Sequence, residues 1–202
     1  MSAAGDRGDL PDDLHDLERA LLGAIGDLPT EPVGPTSPDR GEMLLDLFDA
    51  QVQSRVIDHA ARWLRTLGHG YYTIGSAGHE SNAAVAAALR PSDPALLHYR
   101  SGGFYCARAQ QVPGHDPVRD VLAGMLALAD EPIAGGRHKV FGHPALAIMP
   151  QTSTIASHLP RALGVAFSIG RARRLKGPVR TAWPEDAIAV CSFGDASANH
   201  ST

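Results

Sequence analysis

The sequence has little cysteine, few aromatic residues and no long apolar run. Its 202 residues include only Cys106 and Cys191 as cysteines, and 5% of its side chains are aromatic. Two isolated cysteines argue against a disulfide framework and a structural zinc site, and they favour a reducing compartment. No stretch approaches the roughly 18 apolar residues that a membrane span needs, and no secretory signal pattern occurs. We therefore expect a cytoplasmic protein that does not bind membranes.

A positive charge excess is also absent. The formal net charge is −4, and residues 1–40 hold nine acidic and three basic side chains. A protein that binds nucleic acid usually presents a basic patch, and none is apparent, so nucleic acid is not an expected partner. Although the chain has ten histidines, it lacks the H-x-x-x-H and H-x-H spacings of common metal sites. A histidine metal site is therefore not expected.

Proline and charge divide the chain into two parts. Residues 1–40 are acidic and contain five prolines, which predicts a flexible extension. With 44% hydrophobic and 20% charged residues, the chain can bury one sizeable core. We assign that core to a single domain over residues 41–202.

Apolar periodicity predicts helices joined to short strands. Helices are expected over residues 38–67, 79–89, 101–111, 117–129 and 152–175, and strands over 95–99 and 187–193. The glycine- and proline-rich residues 130–150 are expected to form a long functional loop. The last helix lacks a clean polar face, so we expect it to be buried, with Pro160 either opening its first turn or kinking it.

A glycine and a carboxylate follow the second predicted strand. Gly194 would let the backbone turn tightly beside a diphosphate, and Asp195 would supply a hard oxygen ligand for magnesium. Glycine followed by aspartate also occurs in ordinary surface turns, so the pair alone leaves both interpretations open.

Two other segments carry groups that suit a phosphate or a polar ring. Tyr99 and Arg100 end the first predicted strand before a glycine-opened helix, where a guanidinium and free amides favour anions. An exposed arginine beside a core tyrosine would give the same pattern. Ser153 and Ile155 lie among hydroxyl residues at a helix start, and helix capping alone would explain most of these hydroxyls.

The predicted loop contains a cationic stretch with two histidines. His138 follows Gly135, Gly136 and Arg137, and His143 lies five residues further on. Such a loop could meet the carboxylate of an anionic substrate. Both histidines could equally be ordinary polar residues.

In this order, the segments resemble the thiamine-diphosphate-binding half of the decarboxylating component of 2-oxo acid dehydrogenase complexes. The likeness is clearest with the alpha-type subunit of the branched-chain and pyruvate enzymes. It extends from about Met43 to Asp195 and is carried by residues 72–80, 98–100, 135–137, 152–164 and 193–195.

The resemblance implies a fold and a set of site residues. The fold would be α/β, a truncated doubly wound thiamine-diphosphate fold that is helix-rich with a partial parallel sheet. Tyr99 and Arg100 would contact the diphosphate, and Ser153 and Ile155 would hold the aminopyrimidine. Asp195 would ligate Mg²⁺. The remaining implied residues are Gly194, Ala196 and Ser197 around the metal, and His138 or His143 near the substrate.

The resemblance also implies an activity. With thiamine diphosphate and Mg²⁺, the protein would oxidatively decarboxylate a 2-oxo acid, a branched-chain acid in preference to pyruvate. The acyl group would pass to a lipoyl acyltransferase, and a beta-type transketolase-like subunit or a fused second half would complete the active site. Another thiamine diphosphate enzyme, transketolase-like or acetoin-cleaving, shares the metal motif.

Two departures from the family pattern bear on these expectations. Ala196 stands where the usual motif has a glycine, and alanine disfavours backbone angles that only glycine adopts comfortably. The asparagine region that completes the family's metal site would lie beyond Thr202. We therefore expect the N-terminal part of a longer protein, incomplete at its C-terminus, for which a noncatalytic fragment is the alternative.

Overall fold

The elements of the fold are seen in a computed structural model that describes residues 16, 19–20, 22–24, 26–27, 38–70, 74–133, 135, 141–150, 154–175 and 182–199. The helices are α1 (Pro38–Thr66), α2 (Asn82–Ala87), α3 (Gly102–Gln110), α4 (Pro117–Met125), α5 (His158–Leu175) and α6 (Asp195–Ala198). A 3-10 helix covers Pro144–Leu146. The strands are β1 (Ala95–Leu96) and β2 (Val190–Cys191).

Two short parallel strands lie between the helices. Ala95 of β1 is opposite Val190 of β2, and Leu96 is opposite Cys191. On the other side of β1, Ile148 forms a parallel bridge with Ala95. Helices α3, α4 and α5 all lie between β1 and β2 in the chain. They provide the long crossover that two parallel strands need. The expectation of a helix-rich α/β fold with a partial parallel sheet is confirmed at this level.

Helix α1 has recognisable sequence boundaries. Helix α1 begins at Pro38, where the missing N–H costs nothing because the first N–H groups of a helix have no partner within it. Beyond its end, Gly68 adopts a left-handed φ of 76°, which glycine tolerates without steric cost. One face of α1 buries Ala50, Ile57 and Ala61 against α3. Helix α3 thereby becomes the centre of the larger core.

Arg108 of α3 is a buried cation that holds two loops. Its side chain is 0% exposed, and Nη1 donates hydrogen bonds to the carbonyl oxygens of Pro91, Asp93 and Leu146 at 3.0–3.1 Å. The guanidinium carbon lies 5.1 Å from the ring centroid of Phe104. The loop before β1 and the 3-10 helix are therefore both fixed to α3.

The prediction that the last helix is buried is wrong for one of its faces. Ala162, Val165 and Ile169 of α5 pack toward the strands, but Leu163 is 73% and Phe167 is 68% exposed. The helical period places Leu163 and Phe167 on the side of α5 opposite to Ala162, Val165 and Ile169. In the described chain, it is the side with Ala162, Val165 and Ile169 that contacts neighbouring elements. Pro160 lies in the first turn of α5, so it opens the helix.

The last part of the predicted loop over residues 130–150 is ordered by a 3-10 helix and a bridge. His143 and Ile148 form an antiparallel bridge around the 3-10 helix. The side chains of Phe141, Leu146 and Ile148 are buried in the core. Apolar burial therefore orders this segment despite its glycine and proline content.

Part of the predicted N-terminal extension is described. Residues 16, 19–20, 22–24 and 26 are helical and exposed, and α1 already begins at Pro38. The boundary at residue 40 therefore stays a prediction. Within the described portion of the chain, the helices are too short or too polar to cross a membrane.

Candidate functional site

Ser192 joins the carboxyl ends of the two strands. Its N–H donates to the carbonyl oxygen of Leu96 at 3.1 Å, and its Oγ accepts a hydrogen bond from the backbone N–H of His98 at 2.8 Å. The hydroxyls of Ser192 and Ser101 are 3.0 Å apart. The segments that follow β1 and β2 therefore meet at one edge, the position where doubly wound sheets bind phosphates.

The start of α5 reaches the same edge. His158 is 3% exposed, and its Nε2 lies 2.8 Å from the carbonyl oxygen of Ser192. Since a carbonyl oxygen only accepts, Nε2 is the donor. Just before the helix, Ile155 is 46% exposed and Ala156 has a φ of 65°, a strained conformation for alanine. The structure thus presents an exposed apolar side chain three residues before His158, which binds the segment after β2.

Arg100 is held by a backbone carbonyl. Its Nη1 donates to the carbonyl oxygen of Gly75 at 2.7 Å, and its guanidinium carbon lies 5.4 Å from the ring centroid of Tyr99. A methyl group on Gly75 would lie 2.5 Å from the carboxyl group of Asp58, which accepts the N–H of Ser76 at 2.6 Å. A larger residue at position 75 would therefore displace the Asp58 carboxylate, which lies behind the carbonyl group that binds Arg100.

His98 lies between β1 and the Tyr99-Arg100 pair. Its Nδ1 accepts the backbone N–H of Arg100 at 3.3 Å, and its ring centroid is 3.9 Å from that of Tyr99. Burial lowers the pKa of His98 to about 4, assisted by the positive charges of His79, His158 and Arg100. The imidazole is therefore neutral at neutral pH. Sequence reasoning assigned His98 no role, although its place between the strand and the arginine was visible.

The Gly194 to Ser197 segment does not need a glycine-specific turn. Gly194 has φ −81° and ψ 156°, which any residue adopts, so the prediction of a tight turn that depends on glycine is wrong. Ala196 lies inside α6, where alanine is favourable. The N–H of Ser197 donates to the carbonyl oxygen of Gly194 at 3.0 Å. The alanine in place of the family's glycine therefore causes no backbone strain.

Asp195 is the predicted magnesium ligand at this edge. It is exposed and begins α6, directly after the segment that Ser192 ties to His98. Within the ranges that the structure describes, no three or more His, Cys, Asp and Glu side chains are grouped to hold a metal ion. The donors at this edge thus suit an anion, and Asp195 is a single carboxylate beside them.

His143 has its contacts in another part of the molecule. Its Nδ1 accepts the N–H of Ala145 at 3.1 Å, and its ring lies 4.5 Å from that of His115. Its Nε2 is 4.0 Å from Asp120 of α4. Burial lowers the pKa of His143, while the Asp120 carboxylate acts in the opposite direction. The structure thus gives His143 a capping role at the 3-10 helix.

Two of the predicted site residues, His138 and Ser153, lie outside the described residues. Arg137 lies outside them as well, while Gly135 is described and exposed with a φ of 57°. The chain matches no family model. We call the residues that follow β1 and β2, namely His98 to Arg100 and Ser192 to Asp195, the strand-end site. What this site can bind is therefore inferred from its own side chains.

Proposed function

We propose that the chain forms the diphosphate-binding part of a thiamine-diphosphate-dependent enzyme that oxidatively decarboxylates a 2-oxo acid. One observation supports this proposal above all: Tyr99-Arg100 and Gly194-Asp195 follow two parallel strands whose carboxyl ends are joined through Ser192. An anion-binding guanidinium and a metal-binding carboxylate are then located at the same sheet edge. The doubly wound thiamine-diphosphate fold is part of the same proposal.

Each residue has a definite part in the proposal. Arg100, held at Gly75 by one nitrogen, would direct its other N–H groups to the diphosphate, together with the Tyr99 hydroxyl. Asp195 would hold Mg²⁺ against the same phosphates, with Gly194, Ala196 and Ser197 around it. When bound, thiamine diphosphate supplies the electron sink that makes loss of carbon dioxide possible.

The aminopyrimidine ring of the cofactor would lie against the start of α5. Ile155 is a large apolar side chain left 46% exposed, so covering it with a ring would remove apolar surface from water. Because the His158 side chain binds the Ser192 carbonyl, this helix start is fixed relative to the phosphate edge. Ser153 would hydrogen-bond the aminopyrimidine next to it.

The substrate and partners come from the resemblance. We propose a branched-chain 2-oxo acid, a beta-type subunit or fused second half, and a lipoyl acyltransferase as acyl acceptor. Decarboxylation of a panel of 2-oxo acids, assayed with the second half present, would test the preference. Strict use of pyruvate or of a sugar phosphate would exclude this substrate class.

Replacing Arg100 with alanine should weaken the binding of thiamine diphosphate with Mg²⁺ by about 30-fold, because charge-assisted hydrogen bonds to the diphosphate are lost. Titration calorimetry of the chain with the second half present measures this change. Arg119→Ala is the matched control, since Arg119 is an exposed arginine of α4 that is paired with Asp130. This variant should bind the cofactor as the unmodified protein does. Unchanged binding by Arg100→Ala, or a lack of Mg²⁺-dependent binding when the second half is present, would count against the proposed function.

A further inference from the structure

We propose that His98 is a third diphosphate-binding residue, which donates its Nε2–H to a phosphate oxygen beside Gly194. The assignment depends on the proposed function and deepens it, because it adds a neutral donor to the cationic Arg100. Three features of the strand-end site lead to it: the tautomer of the ring, the direction of Nε2, and the space at Gly194.

The contacts of His98 determine where its proton lies. A neutral imidazole has one nitrogen that donates and one that accepts. Since Nδ1 accepts the backbone N–H of Arg100, the proton is carried by Nε2. The ring packs against the Tyr99 ring with 3.9 Å between centroids, and the backbone of His98 is fixed by its N–H bond to Ser192. The Nε2–H therefore has one fixed direction.

Nε2 is the ring atom of His98 that comes nearest to the side-chain position of Gly194. A methyl group added to Gly194 would lie 3.5 Å from Nε2 and 3.9 Å from Cε1 of His98. The missing side chain leaves room for a methyl group in ordinary contact with the ring edge. Across the described part of the chain, the hydrogen bonds of the His98 ring involve Nδ1 alone, so Nε2–H has no acceptor there. A buried ring with a fixed, unused donor fits a ligand that brings its own acceptor.

The surrounding charges favour a phosphate oxygen as this acceptor. Arg100 is the next residue but one and supplies the positive charge, while His79 and His158 are the other imidazoles near the ring. A neutral N–H can approach a phosphate oxygen without adding a second buried cation beside the guanidinium. His98 would thus set the position of the diphosphate, and Arg100 would neutralise it.

Two substitutions of His98 distinguish the contribution of Nδ1 from that of Nε2. His98→Asn keeps an amide near the Nδ1 position and removes the Nε2 donor, whereas His98→Gln can place an amide N–H near Nε2. With inorganic pyrophosphate and thiamine diphosphate as probes, each with Mg²⁺, we expect about tenfold weaker binding for His98→Asn and less than about threefold for His98→Gln. Thermal unfolding of both variants shows that they are folded before binding is compared.

Long-range ¹H–¹⁵N spectra of the 202-residue chain provide a second readout. The free protein should show His98 as the Nε2–H tautomer, and added pyrophosphate should move the Nε2–H proton downfield. An Nδ1–H tautomer, or an equal loss of binding in both variants, would overturn the assignment, since an equal loss points to a purely structural role. If the unmodified chain binds pyrophosphate and His98→Asn binds it equally well, only the role of His98 fails. If the unmodified chain, assayed with the second half present, binds neither probe, the proposed function fails with it.

Discussion

Replacing Gly103 with alanine should lower the free energy of unfolding by about 3 kcal/mol, because the new methyl group has no space. It would lie 2.6 Å from the carbonyl oxygen of Glu80 and 3.2 Å from two further backbone atoms of that residue. Gly103 is buried in the first turn of α3. Backbone atoms cannot rotate away as a side chain can, so α3 must move from the segment before α2. Urea unfolding followed by circular dichroism measures the loss.

Gly164→Ala is the matched control for this substitution. Gly164 is exposed within α5, and a methyl group there would meet nothing within 4 Å. Since alanine favours helix more than glycine, this change should stabilise the protein by roughly 0.5–1 kcal/mol. Equal stability of Gly103→Ala and the unmodified chain would show that α3 and residue 80 are not packed as described.

Replacing Asp93 with alanine should cost about 3 kcal/mol, since two backbone amides lose a charged acceptor. Asp93 is 2% exposed. Its Oδ1 accepts the N–H of Ile188 at 2.9 Å, and its Oδ2 accepts the N–H of Arg90 at 2.9 Å. These bonds connect the segment before β1 to the segment before β2. Urea unfolding at neutral pH measures the change, and Asp130→Ala, which removes an exposed carboxylate, should change stability by less than about 0.5 kcal/mol.

The contribution of Asp93 should also depend on pH. Burial acts to raise the pKa of Asp93, but the hydrogen bonds from Ile188 and Arg90 and the charge of Arg90 outweigh it, so the pKa lies below its usual value of 3.8. The carboxylate therefore stabilises the fold fully above that usual value, and this contribution is lost as the pH falls through the lowered pKa. The stability difference between the unmodified chain and Asp93→Ala should narrow in acid. A difference that stays constant down to acid unfolding would contradict this account.

Local signals in the sequence predicted most of the elements but not their partners. Pro38 and Gly68 mark the ends of α1, and an apolar run before Gly194 predicts β2. The two strands pair over only two residues each, although sequence predicted longer ones. Nothing local specifies that Ala95 lies opposite Val190, because the pairing joins residues that are distant in the chain. The parallel orientation followed only from the resemblance.

The candidate site was predictable at its strand ends and less so elsewhere. Arg100 and Asp195 stand directly after apolar runs, so sequence could indicate one sheet edge for both. The neutral state of His98 depends on burial and on His158, which comes from a distant helix. The exposure of Phe167 depends on which elements lie beside α5, and apolar content alone does not give that information.

The way in which Arg108 fastens its two loops has a consequence for tolerance to mutation. All three of its acceptors are main-chain oxygens, those of Pro91, Asp93 and Leu146, and every residue type supplies such an oxygen. Side chains in these loops can therefore be exchanged without removing an acceptor, provided that the loop path is kept. All three bonds come from one nitrogen, Nη1, which the planar guanidinium holds beside the Phe104 ring. Lysine would carry its nitrogen on a flexible stem without that planar group, so it is not an equivalent substitute. Sequence variation should accordingly accumulate in the fastened loops, apart from Asp93, and spare the arginine.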